Sequence, residues 1–512
     1  MEILRTWGLE EAVRARGISH DRNQGVAFVR SVAGEVIGEL RTNTDKERNR
    51  LIETYGPSAK TSCPQDVLEP VLRWGAAEQL SVDLRFGSCL QSFVQDETGV
   101  TASIASVDGK VQEVRASYVI AADGARGRIR EQLGIGFGGD GPLGNQMGVY
   151  FEADLWPWVA ERPNLLWWIF NQQTVGVLIA LDGRRRWTYN FGYDATKNSP
   201  QDFSRERCEE IVRAAIGVPD LSLQVKDVRV WQMQARIAER LRAGRVFLAG
   251  DAAHPLPPTG GQGMNTAIGD IHNLCWKLAL VVKRLAGDEL LDTYAEERLP
   301  VIRFNVEQSV RNARSMEAAG LGGIMKTHED YREEDIPRMR EAIPNQRDHF
   351  EYYGQTYGYV YRSPLVIDEG GEASLQAVNT YSASAAPGGR APHCWLRVRE
   401  GGPTMSTIDL FKDDQFTLLA GRDAQAWAAA FTKATAQAGL NARAWVVGPQ
   451  GDLVDNAGAF HDLYGLSPAG AALVRPDGHV AWRAHGSHPD SDVVMEQIID
   501  RFTARQPAAA TH

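Results

Sequence analysis

The spacing of apolar and polar positions divides the chain into segments with strand-like and helix-like periods. Val246 to Ala249 is a short apolar run that stops at Gly250-Asp251, which predicts a buried parallel strand whose carboxyl end meets a ligand. Pro255, Pro257 and Pro258 then stiffen a loop, and from Asn265 the spacing Ile268, Ile271, Leu274, Cys275, Leu278 predicts a helix. That helix is expected to continue through Arg284, with Gly287-Asp288 closing it, and a second to begin at Leu290 and run past Pro300 to about Gly320. Tyr118 to Ala122 is another apolar strand, and Pro64 to Ala77 reads as a helix with proline at its start. Gly25 to Leu40 reads as strand pairs broken at Gly34. Met147 to Leu155, Leu165 to Phe170, Val175 to Leu181 and Trp187 to Gly192 read as aromatic-rich strands. In the last, Trp187, Tyr189 and Phe191 share one face, and Thr188 and Asn190 the other. One face is expected to pack on helices and the other to wall an apolar pocket for a planar ligand.

The final part of the chain follows a small-residue linker at Ala383 to Pro392. Thr407 to Phe411, Phe416 to Ala420 and Ala444 to Val447 read as strands, and Ala424 to Ala438 as a helix closed by Gly439. Ala472 to Arg483 reads as a hairpin turning at Asp477-Gly478.

Composition narrows the class. The 512 residues suffice for two to three domains, and a net charge of -10 disfavours nucleic acid and anionic membrane as partners. No apolar run approaches a membrane span, and Met1 to Gly17 is too charged for a signal peptide. The five cysteines show no metal or redox spacing, as in a reduced cytoplasmic protein without a metal site.

The chemistry is concentrated after the Val246 strand. Asp251 is placed to accept hydrogen bonds from sugar or ribityl hydroxyls, while Gly260, Gly261 and Gly263 let backbone amides approach a flat or anionic ligand at a helix N-terminus. This stretch resembles the flavin-ribityl motif of the FAD-dependent aromatic hydroxylases, the single-component group that includes aromatic polyketide and phenol hydroxylases. Asp123-Gly124-Ala125-Arg126-Gly127-Arg128 resembles the Asp-Gly motif by which the same family contacts FAD and the nicotinamide pyrophosphate; Gly127 stands where the family usually has Ser, so a helix-capping hydroxyl is lost.

The resemblance implies an α/β protein with a discontinuous FAD-binding Rossmann-like domain at 1–139 and 236–385, of which 25–60 can join the substrate sheet. It further implies an inserted sheet-rich substrate domain at 140–235 and a thioredoxin-like C-terminal domain at 386–512. The last lacks Cys-x-x-Cys and is assigned packing or homodimer formation. Family members open with a strand, a Gly-x-Gly-x-x-Gly turn and a helix, whereas this chain begins Met1-Glu2-Ile3-Leu4, so the FAD domain is expected to lack that N-terminal unit. Gly134-Ile135-Gly136-Phe137-Gly138-Gly139 has the spacing but reads as a loop.

Carried onto this sequence, the resemblance gives Asp251, after Gly250, the ribityl chain and Pro258 the carbonyl beside the oxygen site. It gives the amides of Gly260, Gly261, Gly263, Met264 and Asn265 the ring's pyrimidine edge, and places Gln65 and Asp123 near the cofactor. Trp168, Tyr189 and Arg236 are the substrate-pocket candidates. The implied reaction has NADPH or NADH reduce FAD, O2 add to it as a C4a-hydroperoxide, and the distal oxygen attack a phenolic or polycyclic aromatic substrate. Two other readings are an FAD-deficient remnant that binds an aromatic ligand or partner without turnover, and a Baeyer-Villiger oxygenation. Flavin halogenases are set aside because Leu166-Trp167-Trp168-Ile169-Phe170 lacks their Trp-x-Trp-x-Ile-Pro pattern.

Overall fold

The computed structural model describes residues 1–42, 44, 46–322, 327–367, 377–399 and 401–503. Residues 43 and 45, 323–326, 368–376, 400 and 504–512, which fall within the ranges assigned above, lie outside the described residues.

A seven-stranded sheet runs in the order Gln224–Ala238, Phe137–Glu152, Arg186–Tyr193, Val175–Ala180, Leu166–Phe170, Gly25–Val29, Val36–Arg41. The hairpin Gly25–Val29 and Val36–Arg41 therefore belongs to this sheet, its first strand parallel to Leu166–Phe170. On one face Trp187, Tyr189 and Phe191 pack with Met147, Val149 and the helix Arg205–Ile216. On the other Val26, Phe28, Trp168 and Val177 pack with Met316, Met339 and Ile343.

The edge strand Gln224–Ala238 has no counterpart in the sequence pattern, and Phe137–Glu152 beside it is longer than the pattern indicates. Phe137–Glu152 pairs with Gln224–Ala238 along its length, interrupted by register shifts near Gly139, Gly141 and Val225. Gly139 and Gly141 have φ of +113° and +74°, which a side chain rarely adopts. Gly139, the last glycine of the string read as a loop, lies at a bulge inside the strand. Phe137 to Gly139 are thus strand residues, no helix follows them, and the dinucleotide-like spacing at Gly134 to Gly139 is a helix end running into a strand.

The flavin-type segment is built on a small sheet in which Val246–Leu248 runs parallel to Val119–Ala121. Its helix spans Gly263–Val282 and ends before Arg284, whose own φ of +59° makes the turn. Thr293–Ala318 is one continuous helix with Pro300 inside it. Glu2–Thr6 and Glu10–Arg14 bury Leu4, Leu9 and Val13 against Leu68 and Val71 of the helix Gln65–Ala77.

The C-terminal part has a second seven-stranded sheet in which Phe416–Gly421 is parallel to Ala442–Val447 and antiparallel to Ala471–Val474, with helices Gln425–Ala438 and Ser491–Thr503 packed on it. This is the thioredoxin-like alternation expected, with Gly439 at φ +71° ending the first helix. Thr407–Leu410 departs from it: the segment is a 3-10 turn rather than a strand, because Ser406 and Asp409 form a capping box across it. The hydrophobic cluster under this sheet also contains Trp276, Leu290 and Leu365, so the last domain shares its core with the helices behind the flavin-type loop.

Candidate active site

The Val246–Leu248 strand ends in a turn at Gly250, whose φ of +60° admits glycine most easily. The turn is held from behind. Asp270, on the helix that follows, is fully buried; its Oδ2 accepts from Gly250 N at 3.1 Å and meets His254 Nε2 at 2.5 Å. Its Oδ1 accepts from Arg298 Nε at 2.9 Å. Burial acts to raise the Asp270 carboxyl, but the Arg298 guanidinium and His254 outweigh it and hold the group below the usual carboxylate range. Asp251, one residue past Gly250, is exposed, and partial desolvation pushes its carboxyl upward against the opposing effect of His254. The two aspartates have opposite roles: Asp270 fastens the loop and Asp251 is presented outward.

The loop then reaches the N-terminus of the Gly263–Val282 helix, where no side chain caps the first-turn amides. Pro258, Gly260, Gly261, Met264 and Asn265 line a cavity of about 820 Å³ at this end. A Cβ on Gly261, at φ +65°, would meet nothing within 4 Å, so backbone rather than side chain faces open space there. Exposed amides, a glycine cradle and the positive helix end fit the electron-rich pyrimidine edge of a flavin.

Trp168 also lines this cavity, with Val177, Asn190 and Trp231 from the same sheet. Tyr189 does not: it is fully buried on the opposite face, its hydroxyl bonded to Thr174 at 2.7 Å, and burial raises its phenol well above the usual range. The strand alternates as its sequence predicts, but the aromatic face is the core face and Asn190 belongs to the cavity. Arg236 is half-buried beside Gly141, donates its backbone N–H to Pro255 O at 3.0 Å, and stands outside the cavity wall. Gln65 is exposed at the first turn of its helix, while its neighbours Cys63 and Pro64 line the cavity. Asp123, Gly250, Asp251 and Gly263 lie off the lining; Asp123 Oδ2 accepts from Ile129 N at 3.2 Å and so caps the short helix Ile129–Gln132.

Several residues in or beside the cavity carry no motif in the sequence. Desolvation lowers the buried His349 imidazole to about 4; the ring lines the wall, and its Nδ1 has no partner among the described residues. The hairpin turn Pro476 to His479 of the C-terminal domain enters the same wall. Behind it lies a buried ionic lattice: Glu297 accepts from Lys277 Nζ at 2.7 Å, Asn273 Nδ2 at 2.7 Å and Arg475 Nη2 at 2.9 Å, and Arg475 also pairs with Asp477. Desolvation lowers the Lys277 ammonium to about 8 despite Glu297 beside it. A signal for these groups was present: Thr266, Asp270, Asn273 and Lys277 recur at helical spacing and form a polar stripe on a buried helix.

Comparison with known proteins agrees with this geometry. A family model described as an FAD binding domain matches residues 1–309, and one described as aromatic-ring hydroxylase, C-terminal, matches 384–502. The chain belongs to the FAD-dependent aromatic-ring monooxygenases. It is 36% identical to tetracenomycin A2 monooxygenase-dioxygenase of Streptomyces glaucescens over 99% of this chain and 88% of that protein. It is 37% identical to 4-methyl-5-nitrocatechol 5-monooxygenase of a Burkholderia species over 99% and 89% of the respective chains. Among solved structures, the flavin-dependent monooxygenase PieE in complex with FAD and substrate superimposes with a TM-score of 0.89 at 31% identity, over 98% of this chain and 90% of that one. Aklavinone-11 hydroxylase with FAD and aklavinone gives 0.84 at 34% identity, with the same coverage. Both family segments expected from the sequence are therefore present, and FAD is this monooxygenase's cofactor.

Proposed function

We propose that this monooxygenase hydroxylates a phenolic, ring-fused aromatic of polyketide type, using NADPH or NADH and O2. The observation that carries the reading is one cavity shared by the uncapped helix N-terminus at Gly260 to Asn265 and by the apolar sheet residues Trp168, Val177 and Ile179. Bound FAD supplies a redox centre that draws electrons from the nicotinamide and activates dioxygen for insertion into the ring.

The chain's own residues position and desolvate. The first-turn amides of the Gly263–Val282 helix hold the pyrimidine edge and favour negative charge on it. Asp251 takes the ribityl hydroxyls, and Gln65 and Asp123 stand toward the remainder of the cofactor. Pro258 presents a carbonyl without an N–H beside the reacting edge. The tryptophan-lined wall excludes water, which strengthens these electrostatic effects. His349, neutral near pH 7, adds no cation to the wall that would hold a phenolate away from the ring.

The test uses the chain as it stands. Purified protein incubated with FAD and passed through a desalting column should retain flavin absorbance and should oxidise NADPH faster when a naphthol is added, with a dihydroxynaphthalene as product. Absence of retained flavin and of naphthol-dependent oxidation would overturn the proposal in favour of a ligand-binding remnant.

A further inference from the structure

His349 stands on the cavity wall beside the glycine loop: a Cβ on Gly260 would lie 3.9 Å from the His349 carbonyl oxygen. The residue is 5% exposed, yet it lines the cavity. Nδ1 is sealed in the wall with no hydrogen-bond partner among the described residues. Nε2 has none among them either, but it is not sealed, so it is the ring nitrogen that opens on the cavity. The charges near the ring are engaged elsewhere. Glu351 accepts from Arg347 at 2.9 Å and pairs with Arg48, and Lys60 Nζ donates to Phe350 O at 3.4 Å. A buried imidazole that no protein group serves is destabilising, because its polar atoms have left water without gaining a partner. A ligand atom at Nε2 relieves that.

We infer that His349 Nε2 binds the phenolic hydroxyl of the aromatic substrate and thereby turns the adjoining ring carbon toward the glycine loop. This rests on the hydroxylase reading above and goes beyond it to the atom that holds the ring. A neutral imidazole presents Nε2 as donor or as acceptor according to its tautomer, and with Nδ1 unpartnered nothing in the wall fixes which. A hydroxyl both donates and accepts, so either form serves it, whereas a ketone oxygen is served by one form and a hydrocarbon edge by neither. A carboxylate would call for the imidazolium, and the desolvation that lowers this ring to about 4 opposes that charge. The hydroxyl also activates the ring carbons beside it toward an electrophilic oxygen. An anchor next to the loop therefore holds the ring by the group that makes it react.

Equilibrium dialysis of 2-naphthol and naphthalene against the FAD-supplemented protein at neutral pH tests this, since the two ligands differ only in the hydroxyl. The unaltered chain should hold 2-naphthol about tenfold more tightly, the scale of one net hydrogen bond. His349→Phe should abolish that preference and leave naphthalene affinity at the parent's value. His349→Leu, whose side chain is smaller than the present ring, should do the same and replaces it where the phenylalanine variant does not fold. His349→Gln offers both a donor and an acceptor and should recover part of the preference. A preference undiminished in the apolar variants, a parallel loss of both ligands, or an unaltered chain that holds the two equally or not at all would overturn the contact. Binding is read without turnover, so a failed naphthol oxidation assay beside a preference that depends on His349 would remove the hydroxylase reading alone. Intact naphthol-dependent oxidation beside a preference independent of His349 would remove the contact alone.

Discussion

Gly127 offers no hydroxyl to the helix that follows the Asp-Gly motif, so the sequence predicts a missing helix cap. The structure moves the cap to Asp123, whose carboxylate accepts from Ile129 N at 3.2 Å, in the space a Cβ at 127 would fill. Gly127→Ser is therefore expected to displace the carboxylate and lower stability by about 1 kcal/mol, the usual worth of a cap. Urea unfolding measures it, and an unchanged or raised midpoint would show that the serine hydroxyl replaces the aspartate. The same scale separates Asp251 from Asp270. Both sit at the spacing typical of the motif, and only burial shows that Asp270 is consumed by Gly250, His254 and Arg298 while Asp251 is free to face a ligand.

At the scale of elements, helix Gly263–Val282 was legible from its apolar spacing, but its polar stripe acquired meaning only from what packs on it. Glu297 of the neighbouring helix and Arg475 of the C-terminal hairpin are both fully buried and bonded to each other. Replacing Glu297 by Gln leaves Lys277 a buried cation without its counter-charge and Arg475 with Asp477 alone, and is expected to cost about 3–5 kcal/mol. A thermal midpoint within a degree of the parent would mean that the lattice relaxes around the amide. Strand Phe137–Glu152 illustrates the opposite limit. Its first half holds Gly138, Gly139, Gly141, Pro142 and Gly144, a composition that locally means turn, and only pairing with Gln224–Ala238 and its bulges makes it strand.

Across the whole molecule, the C-terminal domain is a wall of the site as well as an appendage. Its turn at Pro476 to His479 lines the cavity, Trp276 packs edge-on to Phe416 at 5.8 Å, and Arg5 and Glu2 of the first helix pair with Asp409 and Arg390. A chain ending at Ala385 should consequently aggregate and lose naphthol binding, because Trp276, Leu290 and the Lys277–Glu297 pair, stripped of Arg475, would meet water. A monomer that elutes at its own mass and still binds naphthol would refute that dependence.

The sequence by itself determined the family, the α/β order and the flavin-type loop, because strand and helix periods and the Pro/Gly/Asp spacing are local properties of consecutive residues. It also determined that Asn190 and Tyr189 face opposite ways, since alternation is a property of one strand. Only the tertiary structure decided which of those faces is core and which is cavity, which aspartate is spent in the interior, and that a hairpin two hundred residues downstream of Trp276 closes the site, its Asp477 bonded to that indole at 3.1 Å. Burial and counter-charge are set by segments distant in sequence, and no local pattern records which of them will meet.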